Sequence, residues 1–272
     1  MSERDVISRT PNPNTLASLT AELSALGVAR GDTLLVHASL SNIGWTVGGA
    51  RTVIEALFTA VGKAGTICMP AHSGHLSDPA QWVNPPVPIS WVPVIYETMP
   101  VFDPQLTECW GVGTLPERFR HMPGTLRSDH PQNSFSAAGM HATEITKSQP
   151  LTPAFGVDSP LGRLEALAAK VLFMGTDYET CTCFHLAESR LPGMPRKQCG
   201  TPVLEDGIRI WKWFEDYDYD ADDFQAVGDA FELIHPVRTG NIGIGKGRLF
   251  DIKDAVAFAE EWLKIHRSNL LT

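Results

Sequence analysis

The sequence predicts a mixed α/β fold: a largely parallel central sheet with flanking helices. Three observations carry that expectation. Helix-like and strand-like periodicities alternate from Leu16 to Pro70. Lys170-Val171-Leu172-Phe173-Met174-Gly175 has the make-up of a buried strand and is followed by a helix-like segment. The chain then closes on an amphipathic stretch, Ile252–His266, suited to covering a sheet.

Taken in order, Leu16, Leu19, Leu23 and Leu26 have helical spacing, and Gly27 stands where a helix C-terminus favours glycine. Residues 33–37 (Thr-Leu-Leu-Val-His) read as a buried strand, 52–61 as a helix and 65–70 as a second strand. Between 71 and 107 the pattern weakens under seven prolines, with Trp82 and Trp91, which marks a lid, a binding loop or a misread element. Further on, 116–120 and 182–191 read as helices and 134–140 as a strand. Segments 208–214 and 231–237 read as strands flanking an acidic helical piece at 222–230. No internal repeat, low-complexity tract or linker divides residues 1–272, so one domain is expected.

A 272-residue chain with 43% hydrophobic residues has ample material for a packed core. No apolar run approaches the ~20 residues needed to span a bilayer, and Met1-Ser2-Glu3-Arg4-Asp5 lacks the basic-then-apolar order of a secretion signal. A soluble cytoplasmic protein is the expectation. Five irregularly spaced cysteines argue for reduced thiols over a disulfide framework.

The net charge of −9 disfavours nucleic acid as a partner, because phosphate recognition needs a concentrated basic surface. Nearly all of that charge lies in 205–232, where ten acids, Asp216, Asp218 and Asp222 among them, meet two bases. Trp211, Trp213, Phe214, Tyr217, Tyr219 and Phe224 share the segment, so it is too aromatic for a disordered tail. It suits a cationic ligand, or else it is a solvated acidic face that maintains solubility.

Three stretches carry candidate chemistry. Residues 127–135 (Arg-Ser-Asp-His-Pro-Gln-Asn-Ser-Phe) pack a cation, small polar groups and an imidazole around Pro131, which biases His130 off a helix. They form either a rigid polar site or an ordinary turn. The second stretch is the strand–helix junction after Gly175, where Asp177 lies close to the strand end. His185 falls in the first helical turn there, with Glu188 one turn on and able to orient it. A helix N-terminus disfavours imidazolium, which leaves a neutral base, although a packing histidine fits the same position. Third, Ser39, Ser41 and Gly44 precede Gly48-Gly49, where small residues let backbone N–H groups approach a phosphate or amide. Cys181-x-Cys183-x-His185 is too tightly spaced for an ordinary zinc site, so no metal is expected, and a thiol nucleophile at either cysteine remains the competing chemistry. The glycine-rich run 240–247 lacks a lysine followed by Ser or Thr and reads as structural.

Four segments, in order and at matching separations, resemble the aminoglycoside 3-N-acetyltransferase family, whose fold differs from that of the GCN5-related acetyltransferases. They are residues 36–44 (Val-His-Ala-Ser-Leu-Ser-Asn-Ile-Gly) with Gly48-Gly49, then 124–131 with Ser134-Phe135, then 158–162 (Asp-Ser-Pro-Leu-Gly), then 185–188 (His-Leu-Ala-Glu). The resemblance implies acetyl-CoA as co-substrate, a cationic amine as acceptor, and acetylation of the 3-amino group of the 2-deoxystreptamine ring, giving antibiotic resistance. It places the CoA arm near His37, Ser39, Leu40 and Ser41 and near Arg127, Ser128, Ser134 and Phe135. It makes His185 the base, with Glu188 and His130 in support, and Asp177, Asp216, Asp218 and Asp222 the receivers of the polycation. A metabolite amine as acceptor on the same fold, and homodimer formation, stay open.

Overall fold

A computed structural model of the protein describes residues 2–267. The chain begins with α1 (Glu3–Arg9) and α2 (Leu16–Leu26), each opened by a capping box, Ser2 with Asp5 and Thr15 with Ser18. Gly27 ends α2 in a left-handed conformation, as its position predicts. Then come β1 (Thr33–Ala38), the single turn α3 (Leu40–Ile43), α4 (Ala50–Val61) and β2 (Thr66–Pro70). The proline-rich stretch is not bare loop. It contains three 3₁₀ turns and α5 (Val92–Thr98), whose Pro93 sits in the first helical turn, where no N–H bond is lost.

Beyond it lie α6 (Thr114–Arg120), β3 (Leu126–Arg127), β4 (Phe135–Gly139), α7 (Ala142–Thr146), α8 (Pro160–Ala166), β5 (Lys170–Met174) and α9 (Phe184–Glu188). Helix α9 is shorter than the sequence implied. The chain ends with the paired β6 (Arg196–Glu205) and β7 (Ile208–Tyr217), α10 (Phe224–Ile234), β8 (Arg238–Ile242), β9 (Gly245–Asp251) and α11 (Ile252–His266). The expected strand at 231–237 is wrong. Phe224, Val227 and Phe231 share one buried face of α10, whereas Leu233 and Ile234 are 84% and 70% exposed at its frayed end, so helical burial overrides the local apolar run. The glycine-rich run is the β8–β9 hairpin, structural as expected.

Seven strands form one mixed sheet in the order β3-β4-β2-β1-β5-β9-β8. Its parallel character is confined to the central trio, β2-β1-β5, and antiparallel strands extend both flanks. Successive strand residues serve opposite faces. Leu34, Val36, Leu172 and Met174 pack with α2, α4 and α6, whereas Leu35, Val171 and Phe173 pack against α7 to α11. Helices on both sides of a parallel centre leave only the strand ends open.

The β6–β7 ribbon stands apart as a second, two-stranded sheet. It anchors the proline-rich stretch: Tyr96 packs edge-on to Trp211 and Trp213, and the Arg209 guanidinium donates to the carbonyls of Tyr96 and Met99. No described helix is long and apolar enough to cross a membrane.

Candidate active site

A cavity of about 1080 Å³ opens where the three parallel strands end. Strand β1 delivers His37, Ser39, Leu40 and Ser41 to its wall, β2 delivers His72, and β5 delivers Thr176 and then Thr182 and His185. This is where open α/β sheets place ligands, because the helices that follow leave a crevice at the carboxyl edge. Gly48-Gly49 and the Gly111–Gly113 turn line the cavity just ahead of α4 and α6. Gly175 makes the junction possible: its φ is 68°, and a Cβ there would lie 2.9 Å from that of Asn42. The Asn42 amide also donates to the Gly175 carbonyl at 2.9 Å, tying the β1 and β5 loops together.

His185 is the best-supported imidazole in this wall. Its Nδ1 lies 2.5 Å from Glu188 Oε2, and the Glu188 side chain is fully buried. With the carboxylate accepting from Nδ1–H, the neutral ring carries its lone pair on Nε2. Phe155 stacks on the ring at 4.9 Å, while Tyr219 and Phe224 close its other sides, so its orientation is set by packing as well as by charge. The other carboxylate oxygen, Glu188 Oε1, accepts from the Asp220 backbone N–H at 3.1 Å and from the Arg267 guanidinium. Sequence reasoning missed Arg267, which lies 79 positions from Glu188 in no local motif.

His37 and His72 also border the cavity, and in each the Nε2 atom is buried without a protein partner. Burial lowers both to about 3, so both rings are neutral at ordinary pH, each with one donor and one acceptor nitrogen. Sequence reading overlooked His72, although its place just past a parallel strand was the available signal.

His130 lies outside the cavity. Its Nδ1 accepts the backbone N–H groups of Gln132 and Asn133, both at 3.0 Å, and Nε2 donates to the Leu151 carbonyl at 3.2 Å. The side chain is 1% exposed and burial lowers it to about 4. Both nitrogens are occupied, so the supporting acid–base role expected for His130 is corrected to a turn-holding one. Ser128, Ser134 and Phe135 are likewise buried and Arg127 is half-buried, and none of the four lines the cavity. Arg127 donates to the carbonyls of Thr107 and Ala71 and to Ser134 Oγ, and stacks over Phe102, stapling the proline-rich stretch to the sheet. Ser128 Oγ bridges Gln149 Oε1 and the Phe135 N–H, Ser134 Oγ donates to Ala71, and Phe135 is core.

None of the four expected acidic residues lines the cavity. Asp177 caps the 3₁₀ turn at Tyr178–Thr180 and pairs with Arg248. Asp216 is buried, accepts from the Thr152 hydroxyl and the Ala154 N–H, and is raised by that burial. Asp218 pairs with Lys197 at 2.8 Å, and Asp222 sits on the outer surface of the turn before α10. Glu179 and Glu3 are the carboxylates that border the cavity. The Cys181 and Cys183 sulfurs lie 3.5 Å apart and fully buried, and burial pushes the Cys181 thiol well up, the reverse of nucleophile activation. Among the described residues no cluster of His, Cys, Asp and Glu is arranged to hold a metal ion.

Both the sequence and the fold match known proteins. The chain is 43% identical to the prophage-derived aminoglycoside N(3′)-acetyltransferase-like protein YokD of Bacillus subtilis, over 95% of this chain and 96% of that one. The YokD crystal structure superposes with a TM-score of 0.95 at 42% identity, covering 97% and 98% of the two chains. Aminoglycoside N(3)-acetyltransferase VIII of Streptomyces fradiae is 35% identical over 97% of this chain and 96% of its own. The structure of AAC-IIIb as a binary complex with CoASH matches with a TM-score of 0.83 at 33% identity, covering 93% and 97% of the two chains. The family model described as aminoglycoside 3-N-acetyltransferase matches residues 35–264, and the chain belongs to that enzyme family.

Proposed function

We propose that the protein transfers the acetyl group of acetyl-CoA to the 3-amino group of a 2-deoxystreptamine aminoglycoside, with His185 as general base. The observation that carries this reading is the buried Glu188–His185 pair at the edge of the cavity. An ammonium group is no nucleophile, and a neutral imidazole held in one tautomer is suited to take its proton. The ammonium first gives up one proton to solvent, and His185 Nε2 accepts a second N–H proton as the amine nitrogen bonds to the thioester carbonyl carbon. When the C–S bond breaks, the imidazolium returns the proton to the departing thiolate, so amide and CoASH form with no group retained on the enzyme.

The cavity is roomy enough for the pantetheine arm and the acceptor together. The Ser39 and Ser41 hydroxyls, 3.4 Å apart, and the Gly48-Gly49 backbone offer polar contacts to the arm. His37 and His72 line the same wall, where donors to the acetyl carbonyl would stabilise developing negative charge. Glu179 and Glu3, in place of the four aspartates, face the cationic acceptor. Acetylation turns one ammonium into a neutral amide and weakens the drug's hold on an anionic target, which is the route to resistance.

The test is thiol release from acetyl-CoA over a panel of aminoglycosides and simple amines, with mass spectrometry and NMR of the product. Acetyl on the 3-amino group supports the reading. Turnover of simple amines alone overturns the acceptor, and thiol release with no acetylated amine overturns the reaction.

A further inference from the structure

The Glu188 carboxylate is fully buried, and charge in such a place is costly unless paired. Its cation arrives from the far end of the chain. Arg267 follows the last turn of α11 with its side chain only 7% exposed, and all its contacts are directed into the protein. Nη1 donates to Glu188 Oε1, Nε and Nη2 form a two-point pair with Asp223 at 2.7 and 2.5 Å, and Nη2 also donates to the Asp220 carbonyl at 2.8 Å. The guanidinium fork thereby joins α9, α11 and the turn before α10.

We propose that Arg267 is a positioning residue for catalysis, holding Glu188 ionised and turned so that Oε2 alone meets His185. The inference rests on the reading of His185 as base. The titratable and charged groups around the ring and its partner are Glu188 from α9, Tyr219, Asp220 and Asp223 from the β7–α10 turn, Arg267 from α11, and His72 from beyond β2. With Arg267 in place, Glu188, Asp223 and the guanidinium sum to one negative charge beside a neutral ring. Without it two negative charges remain, which favours imidazolium, and an imidazolium cannot accept a proton. Arg267 thus keeps the base in its working form while Glu188 keeps the tautomer.

This account gives paired variants opposite signs. In Arg267→Met the acid limb of the kcat–pH profile moves up by about one pH unit, since a neighbouring unit charge shifts an ionisation by roughly that much or more. At pH 7 kcat falls about tenfold or more, as when the partner that orients a functional imidazole is lost, while KM for acetyl-CoA changes less than about twofold, within the scatter of such comparisons. Asp223→Asn removes a negative charge instead and moves the acid limb down. Arg267→Lys keeps the charge and recovers most of the limb position with part of the rate. A purely structural clamp predicts lowered melting temperature in all three variants with the acid limb unmoved, and that result overturns the proposal. If Arg267→Met does not fold, the signs in Asp223→Asn and Arg267→Lys decide. His185→Ala separates the two claims: near-normal turnover there defeats the base reading itself, whereas an inactive His185→Ala beside unmoved pH profiles defeats the Arg267 proposal alone.

Discussion

Two histidines occupy opposite situations in this fold. His130 sits in the richest polar motif of the chain, yet its nitrogens are spent on two backbone N–H groups and one carbonyl. His185 sits in a five-residue helix amid apolar neighbours, yet one nitrogen is tied to a buried carboxylate and the ring borders the cavity. A dense cluster of polar residues is often a self-satisfied turn. A reactive imidazole is marked instead by one committed nitrogen and one uncommitted nitrogen, a property of the folded neighbourhood and not of the local sequence.

Short of removing His185 itself, the largest effect that sharpens this contrast is expected at Glu188. Glu188→Gln keeps the shape but removes the charge that fixes the tautomer, and kcat should drop about tenfold to a hundredfold, in line with other carboxylate-held imidazoles. Single-turnover acetylation on a preformed acetyl-CoA complex measures it, and an unchanged rate breaks the contrast. Next comes stability at the other histidine. His130→Ala leaves one buried and one part-buried N–H group without an acceptor, at about 1–3 kcal/mol for the buried one, and should lower the melting temperature by several degrees while the folded fraction keeps its kcat. Calorimetry beside an active-site titration checks both halves.

A smaller effect concerns acid. His130 is held at about 4, and His37 and His72 at about 3, by burial. Each therefore binds a proton more readily in the unfolded chain, near 6.5, than in the folded one. Their stabilising contribution is complete above pH 6.5 and is lost as pH falls through their folded values. Denaturation midpoints should fall between pH 6.5 and 4.5, before most carboxylates titrate, and a flat profile there would contradict the burial argument. The smallest effect is at the thiols: Cys181→Ser with Cys183→Ser should retain acetyl transfer, read by product mass spectrometry.

Much of the scaffold was legible from sequence. Leucine spacing marked α2, the apolar runs marked β1, β2 and β5, and the amphipathic pattern gave α11 its bounds, because in each the burial pattern matches the local period. The failures share a cause. The 231–237 segment was read from its apolar letters, but helical packing of Phe231 beside Val227 decided its state. The acidic segment was read from its total charge, yet Asp216, Asp218 and Asp223 are occupied by Thr152, Lys197 and Arg267, partners that only the fold brings near. The order of motifs pointed to His185 and to the Ser39–Ser41 loop, both of which line the cavity. Arg267 and His72 were not found, because their places beside Glu188 and in the cavity wall come from the fold and not from any local motif.

The central claim is that His185, and not His130, moves the proton. Thiol release by His185→Ala and His130→Ala, measured side by side at saturating acetyl-CoA and aminoglycoside, tests it most directly. The account predicts that His185→Ala loses about a hundredfold or more in kcat, the usual scale for a general base, with CoA affinity retained, while folded His130→Ala stays within a few-fold of the parent. The reverse ordering, or near-parental turnover in His185→Ala, would contradict it.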